Sequence, residues 1–266
     1  MGGWQLHTLI ARSISGSVWA GLDIQTGQTV AVKLFNRPPI AVAVPGTTTD
    51  HPWEFLSGLN HPGIVKILSH GCENGQHYAV MEFSTQGNLK NTLFPGQKQT
   101  IFHAVIWTRQ ILAALDHLHQ QGYVHLDIKP ENILLFPDDC VKICDFGLMR
   151  PIAAPASVPM GTPGFMSPEQ IMGQSLDRRS DLFSLGAVFY RWLTGYPAFV
   201  GNSTNELLHH TLLSTPPWPS HIHPDIPQSL SHCVMRALEK RPSRRFVDAS
   251  SFIQTIDESS IHGCEK

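Results

Sequence analysis

Residues 123–147, YVHLDIKPENILLFPDDCVKICDFG, constrain this chain more than any other stretch. Ile133-Leu134-Leu135 and Val141-Lys142-Ile143 are short apolar runs rich in branched side chains, the pattern of buried strands. Pro137-Asp138-Asp139 between them is turn chemistry, so the two runs are read as a hairpin. A hairpin fixes its ends against each other. Asn132, before one strand, and Asp145, after the other, should therefore lie side by side. Two oxygen ligands on neighbouring strand ends suit a hard dication such as Mg²⁺. Asp127 lies five residues before Asn132, on the loop leading in, where it can face a substrate hydroxyl.

Composition narrows the field without naming a function. The chain has 266 residues, 42% of them hydrophobic, enough for one large domain or two lobes with a sizeable core. A formal net charge of −2 argues against general nucleic-acid binding. The longest apolar candidate, 182–193, is interrupted by Ser184 and Arg191 and reads as a buried helix, not a membrane span. The start, MGGWQLHTLI, has neither a basic region nor a long apolar run, and Leu6 stands where a myristoylation signal needs Ser or Thr. Five scattered cysteines with no C-x-x-C pair point to a reducing, cytoplasmic compartment. His221 and His223, in a proline-rich loop, are read as solvated, not as metal ligands, and Asn202-Ser203-Thr204 as an unused glycosylation pattern.

HLDIKPEN at 125–132, followed by DFG at 145–147, resembles the catalytic loop and metal-binding turn of eukaryotic-type protein kinases. Lys129, two residues after Asp127, resembles the Ser/Thr branch of that family, and LDRRSDLFSLGAVFYRWLTGYPAF is closest in style to the Ser/Thr kinases of bacteria. The resemblance implies an α+β, bilobal kinase-like fold. A small antiparallel N-lobe sheet with one short helix (1–83) would lead through a hinge (84–87) to a larger, mainly helical C-lobe (88–266), together one catalytic domain.

Alternating residues at 4–11, 18–22 and 29–35 read as the first three strands. The turn between the first two occupies the place of the family's glycine-rich loop, but Ala11 and Ser13 replace two of its glycines and Gly16 alone remains. Val30-Ala31-Val32-Lys33 resembles the family's V-A-I-K strand, with Ala31 and Lys33 on one face and Lys33 reaching the α- and β-phosphates. Residues 36–52 read as a loop, and a helix starts near His51 or Pro52 and ends at Gly58. The family's lysine-pairing Glu would lie nine residues before His61, but Pro52 occupies that position, leaving Glu54 and then Asp50 as candidates. Strands at 64–68 and 77–82 lead to Met81-Glu82-Phe83-Ser84, which resembles the hinge. The resemblance thus places Ile10, Ala11, Ser13, Gly16, Val18, Ala31, Lys33, Met81, Glu82, Ser84 and Leu134 around ATP.

Helices are expected at 88–93, 102–121, 182–193, 205–213, 228–239 and 247–256. Leu126 stands where the family usually has an Arg that binds an activation-segment phosphate, and residues 148–168 offer only Ser157, Thr162 and Ser167 as acceptors. GTPGFMSPE at 161–169 resembles the family's closing G-T-x-x-Y-M-A-P-E. It implies that Thr162 contacts Asp127 and Lys129, that Glu169 pairs with Arg245, and that Asp181 accepts hydrogen bonds from the catalytic-loop backbone. The expected function is ATP-dependent phosphorylation of Ser/Thr hydroxyls in a protein substrate, independent of activation-segment phosphorylation. Asn132 and Asp145 would hold Mg²⁺ or Mn²⁺, Asp127 would be the base, and Lys33, Lys129 and Thr162 would assist. The altered glycine loop, Pro52 and Leu126 leave a second reading open, a pseudokinase acting as a nucleotide-binding regulatory scaffold.

Overall fold

A computed structural model describes residues 3–37, 52–92, 96–153 and 160–261; Asp50, His51, Leu93 and Ser157 lie outside the described residues. The chain divides into two compact units, Met1–Thr85 and Gln86–Lys266.

The first unit is a five-stranded antiparallel sheet with one helix. Its strands are β1 (Trp4–Ser13), β2 (Gly16–Asp23), β3 (Thr29–Phe35), β4 (Ile67–Glu73) and β5 (Gln76–Glu82), in the order β1-β2-β3-β5-β4, with α1 (Pro52–Gly58) between β3 and β4. β3 is central, and its period-two alternation serves both faces. Val30 and Val32 pack with Val80 under Trp4, Leu6, Leu34 and Tyr78, while Ala31 and Lys33 point the other way and are also buried. Trp53 of α1 lies against Phe35, with centroids 5.1 Å apart, and stacks near His70, which fastens the helix to the sheet. β4 starts at Ile67, three residues later than the apolar run at 64–68 suggests. Ile64 and Val65 are buried ahead of the strand, where the Ile64 N–H closes a turn to the His61 carbonyl.

The second unit is mainly helical. It contains α2 (Ile101–Gln120), β6 (Tyr123–Val124), β7 (Ile133–Phe136), β8 (Cys140–Ile143), β9 (Arg150–Pro151), α3 (Pro168–Ile171), α4 (Arg178–Thr194), α5 (Thr204–Leu213), α6 (Pro219–Ile222), α7 (Gln228–Ala237) and α8 (Ala249–Ile261). α2 starts where the Thr100 hydroxyl accepts the His103 N–H and buries Ala104, Trp107, Ile111, Leu112, Leu115 and Leu118 along one stripe. α4 is buried nearly all round, and Gly186 lets it approach α7, where a Cβ would come within 2.7 Å of the Ala237 methyl. Among the described residues no helix is long and apolar enough to cross a membrane. The stretch after Gly87 forms a single 3₁₀ turn, Leu89–Thr92, instead of the expected helix. The Asn88 side chain and carbonyl take the Lys90 and Asn91 N–H groups, and the Thr92 hydroxyl donates to the Leu89 carbonyl, which closes the turn locally.

Candidate active site

The site is built on the β7–β8 hairpin. Ile133 pairs with Ile143, and the Cys144 N–H donates to the Asn132 carbonyl at 2.9 Å, carrying the ladder one step beyond the strands. Asn132 and Asp145 therefore stand on adjacent chain ends, as the sequence pattern requires. The turn of the hairpin is clamped by Gln110 of α2, which accepts the Val141 N–H and donates to the Asp139 carbonyl. Asp145 has φ +61°, a left-handed conformation that Asp tolerates better than most residues. A Cβ on Gly147 would lie 3.2 Å from Asp145 Oδ1, so glycine there keeps room for the carboxylate.

The loop before the hairpin is held by a buried carboxylate. Asp181 of α4 accepts the His125 N–H at 2.8 Å and the Leu126 N–H at 2.7 Å, and its Oδ2 also meets His119 Nε2 at 2.8 Å. Burial alone would push this carboxyl up, but the His119 hydrogen bond and charge, with help from His125, outweigh it and hold the group below its ordinary range. The His125 ring accepts the Asp127 N–H at Nδ1, which leaves Nε2–H to donate to the Cys144 carbonyl, and the ring packs on Phe146. One imidazole thus spans the loop, the hairpin end and the turn after Asp145.

Three side chains converge on Asp127. Lys129 Nζ donates to Asp127 Oδ2 at 2.7 Å and to Thr162 Oγ1 at 2.7 Å, and the Thr162 hydroxyl donates to Asp127 Oδ1 at 2.8 Å. Asn132 Nδ2 donates to both the Asp127 carbonyl and Oδ2, each at 2.9 Å. A carboxylate has about four acceptor positions. Oδ2 uses two and Oδ1 one, so one lone pair of Oδ1 remains for an incoming hydroxyl. Both Asn132 N–H groups are committed to Asp127, which leaves Oδ1 as the Asn132 atom able to ligate a cation. An amide oxygen and a carboxylate are the hard donors a Mg²⁺ or Mn²⁺ ion takes, so Asn132 and Asp145 fit that role.

Leu126, where an arginine was to be expected, has φ +67° and is buried with Val124 and Leu176 against Leu148 and Ile152. The segment after Gly147 is tied to this apolar cluster on both sides. β9 pairs with β6, the Ile152 N–H donates to the Gly122 carbonyl, and the Ala153 N–H donates to the Leu176 carbonyl. Further on, Gln170 Nε2 donates to the Leu126 and Met160 carbonyls while Gln170 and Ser167 form a reciprocal cap on α3. Glu169 meets Arg245 through two contacts of 2.6 and 2.8 Å and also accepts the Ser180 hydroxyl. Burial would raise the Glu169 carboxyl, but Arg245 outweighs it and the group sits below its usual range.

His119, Gln110, Gln170 and Ser180 were not singled out in the sequence, although Ser167-x-x-Gln170 is a capping-box pattern that could have marked the third. His223 Nε2 meets the Thr194 carbonyl at the end of α4, a structural use. Among the described residues no group of three or more His, Cys, Asp or Glu is arranged to hold a metal.

The remaining expected binding residues, Leu134 apart, lie in the first unit. Ala31 and Lys33 share a face of β3, with Lys33 Nζ 5.3 Å from the Phe35 ring centroid. Ala31 pairs with Met81 and Val30 with Glu82. The Glu82 N–H donates to the Lys66 carbonyl, and its carboxylate accepts the Lys66 N–H, which anchors the start of β4; Ser84 is buried. At the β1–β2 tip Ser13 pairs with Gly16, Arg12 with Ser17 and Ala11 with Val18; Ile10 is exposed. A Cβ on Gly16 would lie 1.9 Å from the Leu34 carbonyl oxygen, so the last glycine of this loop is required by the adjoining strand itself. Glu54 is exposed in the first turn of α1. Leu134, in the second unit, bridges to Asn88.

A family model described as "Protein kinase domain" matches residues 4–254. The serine/threonine-protein kinase PknD of Mycobacterium tuberculosis is 32% identical over 253 residues, which is 93% of this chain and 38% of that protein. PknL of the same species is 31% identical over 244 residues, 90% of this chain and 61% of the relative. PknB of Mycobacterium leprae is 35% identical over 203 residues, 73% and 33% respectively. The chain thus spans less than two thirds of the length of these curated relatives.

Proposed function

The chain belongs to the protein kinase family, and from that membership we propose that it transfers the γ-phosphoryl group of ATP to serine or threonine hydroxyls of a protein substrate. The observation that carries this reading is the closed set of hydrogen bonds around Asp127 from Lys129, Thr162 and Asn132. Phosphoryl transfer asks a protein chiefly for positioning and charge stabilisation. Asp127, with one lone pair of Oδ1 open, orients the acceptor hydroxyl and takes its proton. Lys129, fixed between Asp127 and Thr162, brings positive charge to the γ-phosphoryl. Asn132 Oδ1 and the Asp145 carboxylate hold Mg²⁺ or Mn²⁺, which when bound screens the phosphate charge. Within the first unit, Lys33 serves the α- and β-phosphates and Ala31, Met81, Ser84 and the Glu82 carbonyl face the base. Ile10, Ala11, Ser13, Gly16 and Val18 cover the phosphates.

The same reading extends to regulation and setting. Leu126 gives a phosphate no cation, and its apolar cluster fastens residues 148–153 without one. Thr162 is engaged at Asp127 and Ser167 is a buried helix cap, so neither suits a regulatory phosphate. The cysteine usage supports a cytoplasmic setting. Incubation with Mg²⁺ and ATP labelled on the γ-phosphate, with generic protein substrates, tests the activity. Wild type should label Ser and Thr and Asp127→Asn should not; equal labelling by both would sink the reading.

A further inference from the structure

Away from Asp127, the second unit contains a pocket of about 310 Å³ between the stretch that follows α5 and the C-terminal half of α7. Trp218, Met235, Arg236, Glu239, Lys240 and Arg244 are among its lining residues. Its charge is lopsided, with three basic side chains, Arg236, Lys240 and Arg244, against the single carboxylate of Glu239, in a chain whose net charge is −2. The sequence concentrates this charge: five of the ten residues from Arg236 to Arg245 are Arg or Lys. Arg245 is buried on Glu169, and Arg241 does not line the pocket.

The lining cations are poorly compensated. Arg244 reaches Glu239 only at 3.9 Å, with both side chains largely exposed. The Arg236 guanidinium lies 4.3 Å from the Phe246 ring centroid. Lys240 Nζ sits 4.0 Å from the Phe199 ring centroid and donates to the Thr211 carbonyl at 2.6 Å. Burial is the main cause that pushes its pKa down to about 8. Beside these charges, Trp218 packs edge-on to His232 with centroids 4.6 Å apart, and Met235 adds an adaptable apolar wall. A volume of this size is at the lower end for small-molecule sites, enough for one or two side chains.

We propose that this pocket is a docking site for an acidic segment of a protein partner, which seats one apolar side chain between Trp218 and Met235 and sets carboxylates against Arg236 and Arg244. Charge complementarity selects this occupant, since a neutral or basic segment would leave the cations uncompensated. The site uses no residue of the phosphotransfer reading, and its test needs no nucleotide.

The experiment is an anisotropy titration of the full chain with a fluorescein-labelled heptapeptide, three aspartates on each side of a leucine. Saturable binding is expected. Arg236→Glu and Arg244→Glu should each weaken it about tenfold or more, as should leucine-to-serine in the peptide. Arg241→Glu makes the same charge change at an exposed position outside the pocket and should weaken it less than about threefold, since exposed charges act at screened range. If a reversal lowers the thermal midpoint, Arg236→Gln and Arg244→Gln carry the same ranking. Absence of saturable binding by wild type overturns the proposal, as does equal weakening by all three reversals. A concentration-dependent dimer sensitive to Arg244→Glu, with no peptide binding, would assign the pocket to a second copy and overturn it as well.

Discussion

The β1–β2 tip and the loop around Asp127 both correspond to signature regions of the kinase family, yet they tolerate change differently. At the tip, two of the usual glycines are Ala11 and Ser13, and the turn is closed by other means. Ser13 Oγ meets Ser15 Oγ at 2.8 Å, Asn36 donates to the Ile14 carbonyl, and the Asn36 N–H donates to the Ser15 carbonyl. Around Asp127, every side chain has a partner that depends on its chemical identity. A backbone-shaping region can reach one geometry by several side-chain routes. A region that must place a carboxylate, an ammonium, a hydroxyl and an amide against one another has far fewer.

The largest effects should come from breaking the second region. Asp127→Asn and Asp145→Asn should each lower phosphoryl transfer by about a thousandfold or more, roughly 4 kcal/mol of barrier. Only Asp145→Asn should also strongly weaken Mg²⁺ or Mn²⁺ binding, read by calorimetry; equal loss in both would merge roles kept separate here. Arg245→Met should cost about 3–5 kcal/mol of stability in chemical denaturation, because Glu169 would be left buried without its partner. The sign of the pH effect follows from lowered carboxyls. Glu169 and Asp181 have ordinary values of 4.5 and 3.8 and lie below them when folded. Their stabilisation is therefore complete above that range and drains as pH falls through the folded values, so denaturation midpoints should drop in acid and Arg245→Met should blunt the drop.

A smaller effect should separate the tip's one necessary glycine from its replaced ones. Gly16→Ala forces a Cβ to within 1.9 Å of the Leu34 oxygen, at φ +156°. Roughly 1–3 kcal/mol of destabilisation is expected, scaled from overpacking, with the loss seen as faster hydrogen exchange in β2 and β3.

The same contrast explains what was legible in the sequence. The hairpin was readable from apolar periodicity, and the pairing of Glu169 with Arg245 and the anchoring by Asp181 from the family resemblance. The supports that these groups receive from remote segments were not. His119 is one helix residue among many in the sequence, yet it is buried on Asp181, 62 positions away. Gln110 and Gln170 likewise serve carbonyls and amides of remote segments, which no local pattern announces. β4 was placed early because hydrophobicity reports burial and not ladder pairing. Leu126 was read as the loss of a phosphate-binding arginine; its gain, the cluster with Leu148 and Ile152, needed coordinates.

The gentlest prediction concerns Ser13, and it probes whether a side chain has taken over what a glycine does elsewhere. Its hydroxyl meets Ser15 Oγ and donates to the Gly16 carbonyl at 3.3 Å, across an exposed tip. Exposed hydrogen bonds of this kind contribute about 0.5–1.5 kcal/mol at most, because water replaces the partner. Ser13→Ala should therefore barely change the melting temperature. Ser13→Gly removes the same bonds and widens the backbone's freedom, by about 0.5–1 kcal/mol relative to Ala. If the serine pair holds the tip in shape for ATP, Ser13→Gly should raise the KM for ATP more than Ser13→Ala does, with kcat nearly constant in both. An improved KM in Ser13→Gly would mean that this tip is held too rigidly by its serines, and that the two regions differ less than the comparison claims.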